Sequence, residues 1–403
     1  MNIIIVSEYA NITGGAEKVA IQSARGLAEA GHRITFFAAS GPIDPSLVHP
    51  NIEVVCVRER YDVDDYGELN RVLKGTYDRV AGSKCKELLS RFDPKDTVVH
   101  FHSFRQQLTT SVLKAVFGTK FPVVYTCHDY GLACPYVGFY DYRREKICDK
   151  RGGSMDCLLT NCNRTSYSHK LWIFFKNGLL ANLVGQRKNI DHFVFVSKFS
   201  QNVIESYLPS GSRLHVVQNP IEAVDEGMKA LDPQPKFLFV GRITKEKDPE
   251  TFALAAKKLG VTAVFVGDGN MTGKVRQANP DAILTGWQDS QTVRKHMRSA
   301  RALVFPSAWY EGQPLTTQEA LSVGLPSIIS DVCAAQDVIE DGVTGLLFRC
   351  GDVDHLCAKM QELMDDERNT SLGREAYRRF WIDPPTMQKH ITAIESVYRE
   401  ALA

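Results

Sequence analysis

The stretch ALVFPSAWYEGQPLTTQEALSVGLPSIISD (Ala302–Asp331) decides how the whole chain is read. ALVFPS is a short apolar run, the pattern of a strand buried on both faces. LPSIIS reads the same way. Between them lies a helix pattern. Pro314 suits its first turn, and Gly324 followed by Pro326 ends it. Strand, helix and strand in this order form a β–α–β unit, the building block of parallel sheets. Inside the unit stand two carboxylates, Glu311 and Glu319, eight positions apart in small and apolar surroundings.

The same alternation runs outward from this unit. Upstream come KFLFVGR (Lys236–Arg242), TAVFVGDG and AILTGW. An earlier series comprises NIIIVS, ITFFAAS, TVVHFHS, PVVYTCHD and HFVFVSKFS, with a helix pattern over Glu17–Ala30 closed by Gly31. NPIEAVDEGMKALDPQPK, rich in Pro and charge, separates the two series and reads as a linker near residues 219–235. A chain of 403 residues can bury two such cores. The expected fold is therefore α/β, with two Rossmann-like doubly wound domains facing a central cleft. Residues 1–218 form the first domain and 219–380 the second. Residues 381–403 hold an amphipathic helix pattern (Thr386–Leu402), expected to pack back on the first domain.

Bulk properties remove several function classes. The formal net charge is +1, so no overall electrostatic case exists for nucleic-acid binding. No apolar run approaches the ~18 residues of a membrane span. MNIIIVSEYA lacks a basic leader and reads as a first strand. The expected address is the cytoplasm, where the 10 cysteines stay reduced unless they bind metal.

Ligands of doubly wound sheets bind at the carboxyl ends of the strands. After the first strand, NITGGAEKVA places Gly14 and Gly15 before a helix. They make a tight turn, or they let the backbone approach an anion at the helix N-terminus. After FLFV, the loop GRITKEKDP carries Arg242 and Lys247. The pair could neutralise a diphosphate. It could equally be a solvated charged turn, since Glu246 and Asp248 are adjacent. For Glu311 and Glu319, eight helical residues span roughly 12 Å and turn about 80°. The carboxylates of a retaining hydrolase stand about 5 Å apart. Two separate tasks on one elongated ligand fit the spacing better. One carboxylate can accept from a ribose diol, the other from a sugar hydroxyl.

EGQPLTTQE resembles the E-x7-E motif of retaining glycosyltransferases of family GT4, which have the two-domain GT-B fold. GGAEKVA resembles that family's first-domain glycine loop, and GRITKEKDP its arginine–lysine segment. HDYGLACP (residues 128–135) resembles its His-Asp stretch, and EDGVTGLLF (residues 340–348) its closing segment. The matches run in the family's order over nearly the whole chain. The resemblance implies that Arg242 and Lys247 hold a donor diphosphate and that Glu319 binds the ribose hydroxyls. Glu311, helped by the backbone of Gly312, Gln313, Pro314 and Leu315, would meet the donor sugar. His128 would touch that sugar from the first domain, and Gly14 and Gly15 would border the phosphate. His128, Arg242, Lys247 and Glu311 form the implied catalytic set.

The implied donor is a UDP-, GDP- or dTDP-sugar. The implied acceptor is a glycan or lipid-linked oligosaccharide of cell-surface polysaccharide synthesis. No cofactor is required, because the cations carry the leaving charge. Two alternatives remain: a nucleotide-sugar epimerase of the same fold, or a non-catalytic nucleotide-sugar binding protein. The sequence departs from the family at Asp248, where Gly is usual, and at CAAQD (Cys333–Asp337), where a Gly- and Pro-containing loop is usual.

Cys134, Cys148, Cys157 and Cys162 cluster in an insert spanning residues 134–162. A structural zinc, free buried thiols and a disulfide all remain open. A metal there is expected to shape the acceptor side. From Cys157 to Ile190 the chain has Arg164, Lys170, Lys176, Arg187 and Lys188 but no acid, with Trp172, Phe174 and Phe175 interleaved. The stretch suits peripheral contact with the inner face of an anionic membrane, a cradle for a lipid-linked pyrophosphate, or an ordinary packed helix. His100 and His102 read as acceptor-side or as core residues.

Overall fold

The computed structural model describes residues 1–59, 75–232 and 234–403. Its first sheet contains β1 (Asn2–Tyr9), β2 (Arg33–Ser40), β3 (Ile52–Arg58), β4 (Thr97–Phe101) and β5 (Val123–Cys127). A small antiparallel hairpin follows, β6 (Tyr140–Asp141) with β7 (Lys146–Ile147). Then β8 (His192–Phe195) and β9 (Arg213–Val216) complete the first sheet. Its order is β3-β2-β1-β4-β5-β8-β9, with every pair parallel.

The second sheet contains β10 (Lys236–Val240), β11 (Thr262–Val266), β12 (Ile283–Leu284), β13 (Ala302–Phe305), β14 (Ser327–Ser330) and β15 (Gly345–Phe348). Its order is β12-β11-β10-β13-β14-β15, again all parallel. The architecture is the two-sheet α/β arrangement expected of the alternating pattern.

Alternating side chains explain why both faces of each sheet are covered. In β1, Ile4 and Val6 join one core, while Ile3 and Ile5 join another on the opposite face. In β10, Phe237 and Phe239 pack with Phe252 and Phe265, whereas Leu238 packs with Met297 and Leu303. The sequence reading of AILTGW overstates β12, which keeps only Ile283 and Leu284. Pro314 is likewise the cap before helix Leu315–Ser322 and not part of its first turn.

The chain crosses between the two sheets twice. The outward crossing leaves β9 and reaches β10. The return leaves helix Asp366–Ile382 and enters helix Met387–Leu402. The amide of Ile221 donates to Pro385 O at 2.8 Å, tying the two crossings together. Helix Met387–Leu402 then places Ile391, Ile394, Val397 and Tyr398 in the first sheet's core, beside helix Gly15–Glu29. His390 reinforces this from both ring nitrogens, meeting Ser23 Oγ at 2.8 Å and Gln218 O at 2.9 Å.

Candidate active site

Strand order reverses at β1 and β4 in the first sheet and at β10 and β13 in the second. The loops leaving these strands open the crevices where such folds take ligands. The loop after β13 carries Glu311 across to the first domain. Tyr130 donates its hydroxyl to Glu311 O at 2.7 Å, and Ser197 Oγ donates to Gly312 O at 2.6 Å. A β-carbon on Gly312 would lie only 3.2 Å from His128 O, so a larger residue would push the domains apart. Gln313 Oε1 accepts from the amide of Asn219 at 2.7 Å. Pro314 has no amide hydrogen, so only Gly312, Gln313 and Leu315 can donate backbone N–H groups here.

The Glu311 side chain sits at the centre of this contact. Its Oε1 meets Lys247 Nζ at 2.5 Å, Ser307 Oγ at 2.7 Å and Trp309 Nε1 at 2.7 Å. Burial pushes the Glu311 carboxyl up, but the Lys247 charge and the Ser307 and Trp309 hydrogen bonds outweigh it and hold it below the usual glutamate range. Lys247 comes from the turn after β10, and its ammonium also lies 5.2 Å from the centre of the Phe305 ring. Arg242, on the same loop, is exposed. Among the described residues its side chain makes no ion pair or hydrogen bond. One implied phosphate cation is thus free, and the other is paired with the glutamate beside it.

Glu319 lies elsewhere on the same unit. It lines a cavity of about 240 Å³ with Val240, Gln288, Val293, Arg294 and Met297. Burial raises its carboxyl above the usual range, partly offset by Lys18 from the first domain and by Arg294. Among the described residues its carboxylate makes no hydrogen bond. The cavity wall is mixed, with Val240, Val293 and Met297 facing Gln288, Arg294, Glu222 and Glu319.

Asp248 accounts for the departure from glycine after the lysine. Its backbone is left-handed, with φ 46° and ψ 52°, and its side chain accepts from Thr251 Oγ1 at 2.6 Å while capping helix Pro249–Leu259. Aspartate is among the few residues that tolerate this conformation. In the other divergent loop, Asp337 accepts from the amide of Phe199 at 2.8 Å and so joins the two domains.

The first domain's side of the cleft is a cavity of about 410 Å³, lined by Glu8, Glu17, His102, Arg105, His128 and Asp129 among others. His128 Nε2 pairs with His102 Nδ1 at 2.9 Å, and burial lowers His128 to about 3, so its imidazole is neutral. His102 is itself buried. His100 is buried too, between Tyr398 at 2.6 Å and Thr126 at 2.7 Å, and belongs to the core. Gly14 is the extended cap of helix Gly15–Glu29, and Gly15 faces open space. Glu17 of the first turn accepts from Ser103 Oγ at 3.2 Å.

Sequence reasoning missed Ser307 and Trp309 as the groups that orient Glu311. It also missed Glu8, whose carboxylate accepts from the amides of Gln106, Gln107 and Leu108 at 2.5, 2.8 and 3.3 Å. The available signal was an acid at the end of an otherwise apolar strand.

The cysteine insert and its flank contact the loop after β10. Lys245 pairs with Glu145 at 2.7 Å, and Glu246 with Arg164 at 3.5 Å. A β-carbon on Gly138 would lie 3.0 Å from the Trp309 ring. All 10 cysteines are free thiols. Among the described residues, the three potential ligand atoms that come within 4.8 Å of one another belong to His192, His215 and Glu400, and not to the insert.

Two facing doubly wound domains with acid and base side chains meeting in the cleft define a protein of the GT-B class. The Glycosyltransferase Family 4 model matches residues 13–224, and the model for glycosyl transferases group 1 matches residues 234–366. The chain belongs to Glycosyltransferase Family 4. It is 28% identical over 145 residues to the UDP-Gal:alpha-D-GlcNAc-diphosphoundecaprenol alpha-1,3-galactosyltransferase of Escherichia coli. That match covers 32% of this chain and 37% of that protein, so it spans little more than a third of the relative's length. Among solved structures, sucrose-phosphate synthase from Thermosynechococcus elongatus superposes with TM-score 0.73 at 16% identity, over 99% of this chain and 98% of that one. Anabaena HepE in complex with UDP and glucose superposes with TM-score 0.68 at 15% identity, over 99% and 100%.

Proposed function

We propose that the protein is a retaining glycosyltransferase, moving a sugar from a nucleotide diphosphate sugar to a glycan or lipid-linked acceptor. The Lys247–Glu311 pair carries this reading. It puts a half-buried cation and a buried carboxylate together in the cleft, with Arg242 on the same loop as the lysine and Glu319 on the helix that follows the glutamate. The HepE complex with UDP and glucose and the diphosphoundecaprenol relative support the donor and acceptor classes.

A donor diphosphate would draw Lys247 towards itself and pair with Arg242. Glu311, released from the lysine but still held by Ser307 and Trp309, would accept from a hydroxyl of the donor sugar. Glu319 would take the ribose diol. As the sugar–phosphate bond breaks, charge gathers on the leaving diphosphate, where Arg242, Lys247 and the amides before helix Leu315–Ser322 stabilise it. The acceptor hydroxyl attacks from the same face and gives its proton to the leaving phosphate. Neutral His128 would contribute a hydrogen bond from the first domain, not a charge.

No described helix is long and apolar enough to cross a membrane. Peripheral contact is proposed instead through helix Tyr167–Asn182 and its flank, where Phe175 and Leu183 are exposed beside basic residues.

Calorimetric titration with UDP, GDP, dTDP and ADP, without added metal, tests the donor site. One nucleotide binding clearly better than the rest supports the reading. If neither these nor the intact nucleotide sugars bind, the reading fails.

A further inference from the structure

Lys245–Lys247 is a single turn of 3₁₀ helix, and in that geometry three consecutive side chains leave the axis roughly 120° apart. Each is met by an opposite charge from a different segment. Lys247 meets Glu311, from the loop after β13. Lys245 meets Glu145 at 2.7 Å, and Glu246 meets Arg164 at 3.5 Å. Glu145 and Arg164 both belong to the first domain. The two residues that precede Lys247 are therefore gripped from across the cleft.

Two observations set these grips apart from ordinary surface pairs. Glu246 is 3% exposed, and among the described residues Arg164 is the side chain paired with its carboxylate. A buried carboxylate stripped of its partner is costly. The Arg164 guanidinium is itself steadied, lying 4.5 Å from the centre of the Tyr142 ring. Glu145 sits in the turn of the β6–β7 hairpin with φ 57°, a left-handed backbone that a glutamate adopts only at a cost. The hairpin holds it there. The Glu145 amide donates to Asp141 O at 2.7 Å, and Asp141 Oδ1 accepts from the amides of Arg143 at 2.9 Å and Arg144 at 3.1 Å. A glycine would relieve the backbone but would carry no charge to Lys245.

The same segment also touches the support of Glu311. A β-carbon on Gly138 would lie 3.0 Å from the ring of Trp309, whose Nε1 donates to Glu311. Within its own domain the turn is tied by its backbone, the amide of Ala308 donating to Glu246 O at 2.9 Å.

We propose that Glu145 and Arg164 are positioning residues, holding the turn Lys245–Lys247 from the first domain so that Lys247 is aimed at the donor diphosphate. The proposal rests on the donor reading of Lys247. The backbone bond to Ala308 fixes where the turn lies, and the two side-chain grips fix how it is rotated. They matter most when a diphosphate takes Lys247 from Glu311. The turn then loses one of its three charge contacts and keeps the two that the first domain supplies. Diphosphate affinity thus depends on two residues that do not touch the nucleotide.

The test is calorimetric titration of the full chain with UDP, GDP, dTDP and ADP, and with the matching monophosphates. For the diphosphate that wild type binds best, Glu145→Lys and Arg164→Ala should each weaken binding about tenfold, and the matching monophosphate should change by less than about twofold. General damage to the fold would weaken both ligands alike. Glu145→Lys combined with Lys245→Glu should restore diphosphate affinity, a rescue that lost packing would not show. Should Arg164→Ala fail to fold, Glu145→Lys at the exposed hairpin turn carries the test alone. Wild-type diphosphate affinity in the variants, equal losses for the two ligands, or a charge swap that rescues nothing overturns the proposal and leaves the donor reading standing. If wild type binds neither these nucleotides nor the intact nucleotide sugars, the donor reading fails and takes this proposal with it.

Discussion

Glu311 and Glu319 are the same residue type on the same β–α–β unit, yet their surroundings push them in opposite directions. Glu311 has a lysine, a hydroxyl and an indole N–H on one oxygen, and stays ionised although it is buried. The Glu319 carboxylate has burial without a hydrogen-bond partner among the described residues, and its carboxyl rises. The first is finished within the protein, and under the proposed function its partners would have to rearrange for a ligand. The second is unfinished, and under the proposed function it would gain when a ligand arrives. A motif of two glutamates therefore encodes two different devices.

Removing one side of the finished device should have the largest effect. Lys247→Ala leaves a buried carboxylate without its charge partner, a change that typically costs roughly 3–5 kcal/mol. The urea midpoint should drop accordingly, and transfer should be lost. A variant as stable as wild type would show that the pair is not a buried one. Lys247→Met combined with Glu311→Gln should recover much of that stability without recovering transfer.

The unfinished glutamate should behave in reverse. Glu319→Ala should weaken nucleotide binding by roughly 1.5–3 kcal/mol, the range for hydrogen bonds to a charged group. Unchanged affinity in calorimetry removes it from the donor site.

Proton linkage separates the two further. Glu311 has a lowered folded pKa, so its contribution is present above the ordinary value of 4.5 and disappears as pH falls through the lower folded value. Glu319 has a raised pKa, so it costs stability as pH rises above 4.5. Glu319→Gln should therefore stabilise the ligand-free protein at neutral pH, whereas Glu311→Gln should destabilise it. Thermal unfolding at pH 4 and pH 7 measures both; the same sign for the two variants at pH 7 would dissolve the contrast.

Asp248→Gly should be nearly silent. The helix cap is lost but the left-handed backbone is relieved, and replacing a cap by glycine costs only about a few tenths of a kcal/mol. A large drop in the unfolding midpoint would mean that the carboxylate does more than cap.

The strands were legible because both faces are buried, so each reads as an apolar run between turn residues. The cleft loops were legible because glycine, proline and charge punctuate them. What stayed hidden depends on contacts distant in sequence. Nothing local announces that Tyr130 reaches Glu311 O, or that Asn219 meets Gln313. The insert's contacts with the second domain stayed hidden for the same reason. Its cysteines follow a first-domain strand, but Glu145 and Arg164 find their charge partners on the loop after β10. Asp248 looked like a departure, and only its positive φ shows that it does glycine's geometric task.

The return of helix Met387–Leu402 to the first sheet has a consequence for how the protein is made. The core around Ile3 and Ile5 includes Ile391, Ile394, Val397 and Tyr398. During synthesis, β1 to β9 emerge long before those side chains exist, so one flank of the first sheet must wait uncovered while the second domain is translated. The second domain carries its own cores and can consolidate in the meantime. The domain made before the other is thus completed after it, and its uncovered flank is where a chaperone would act.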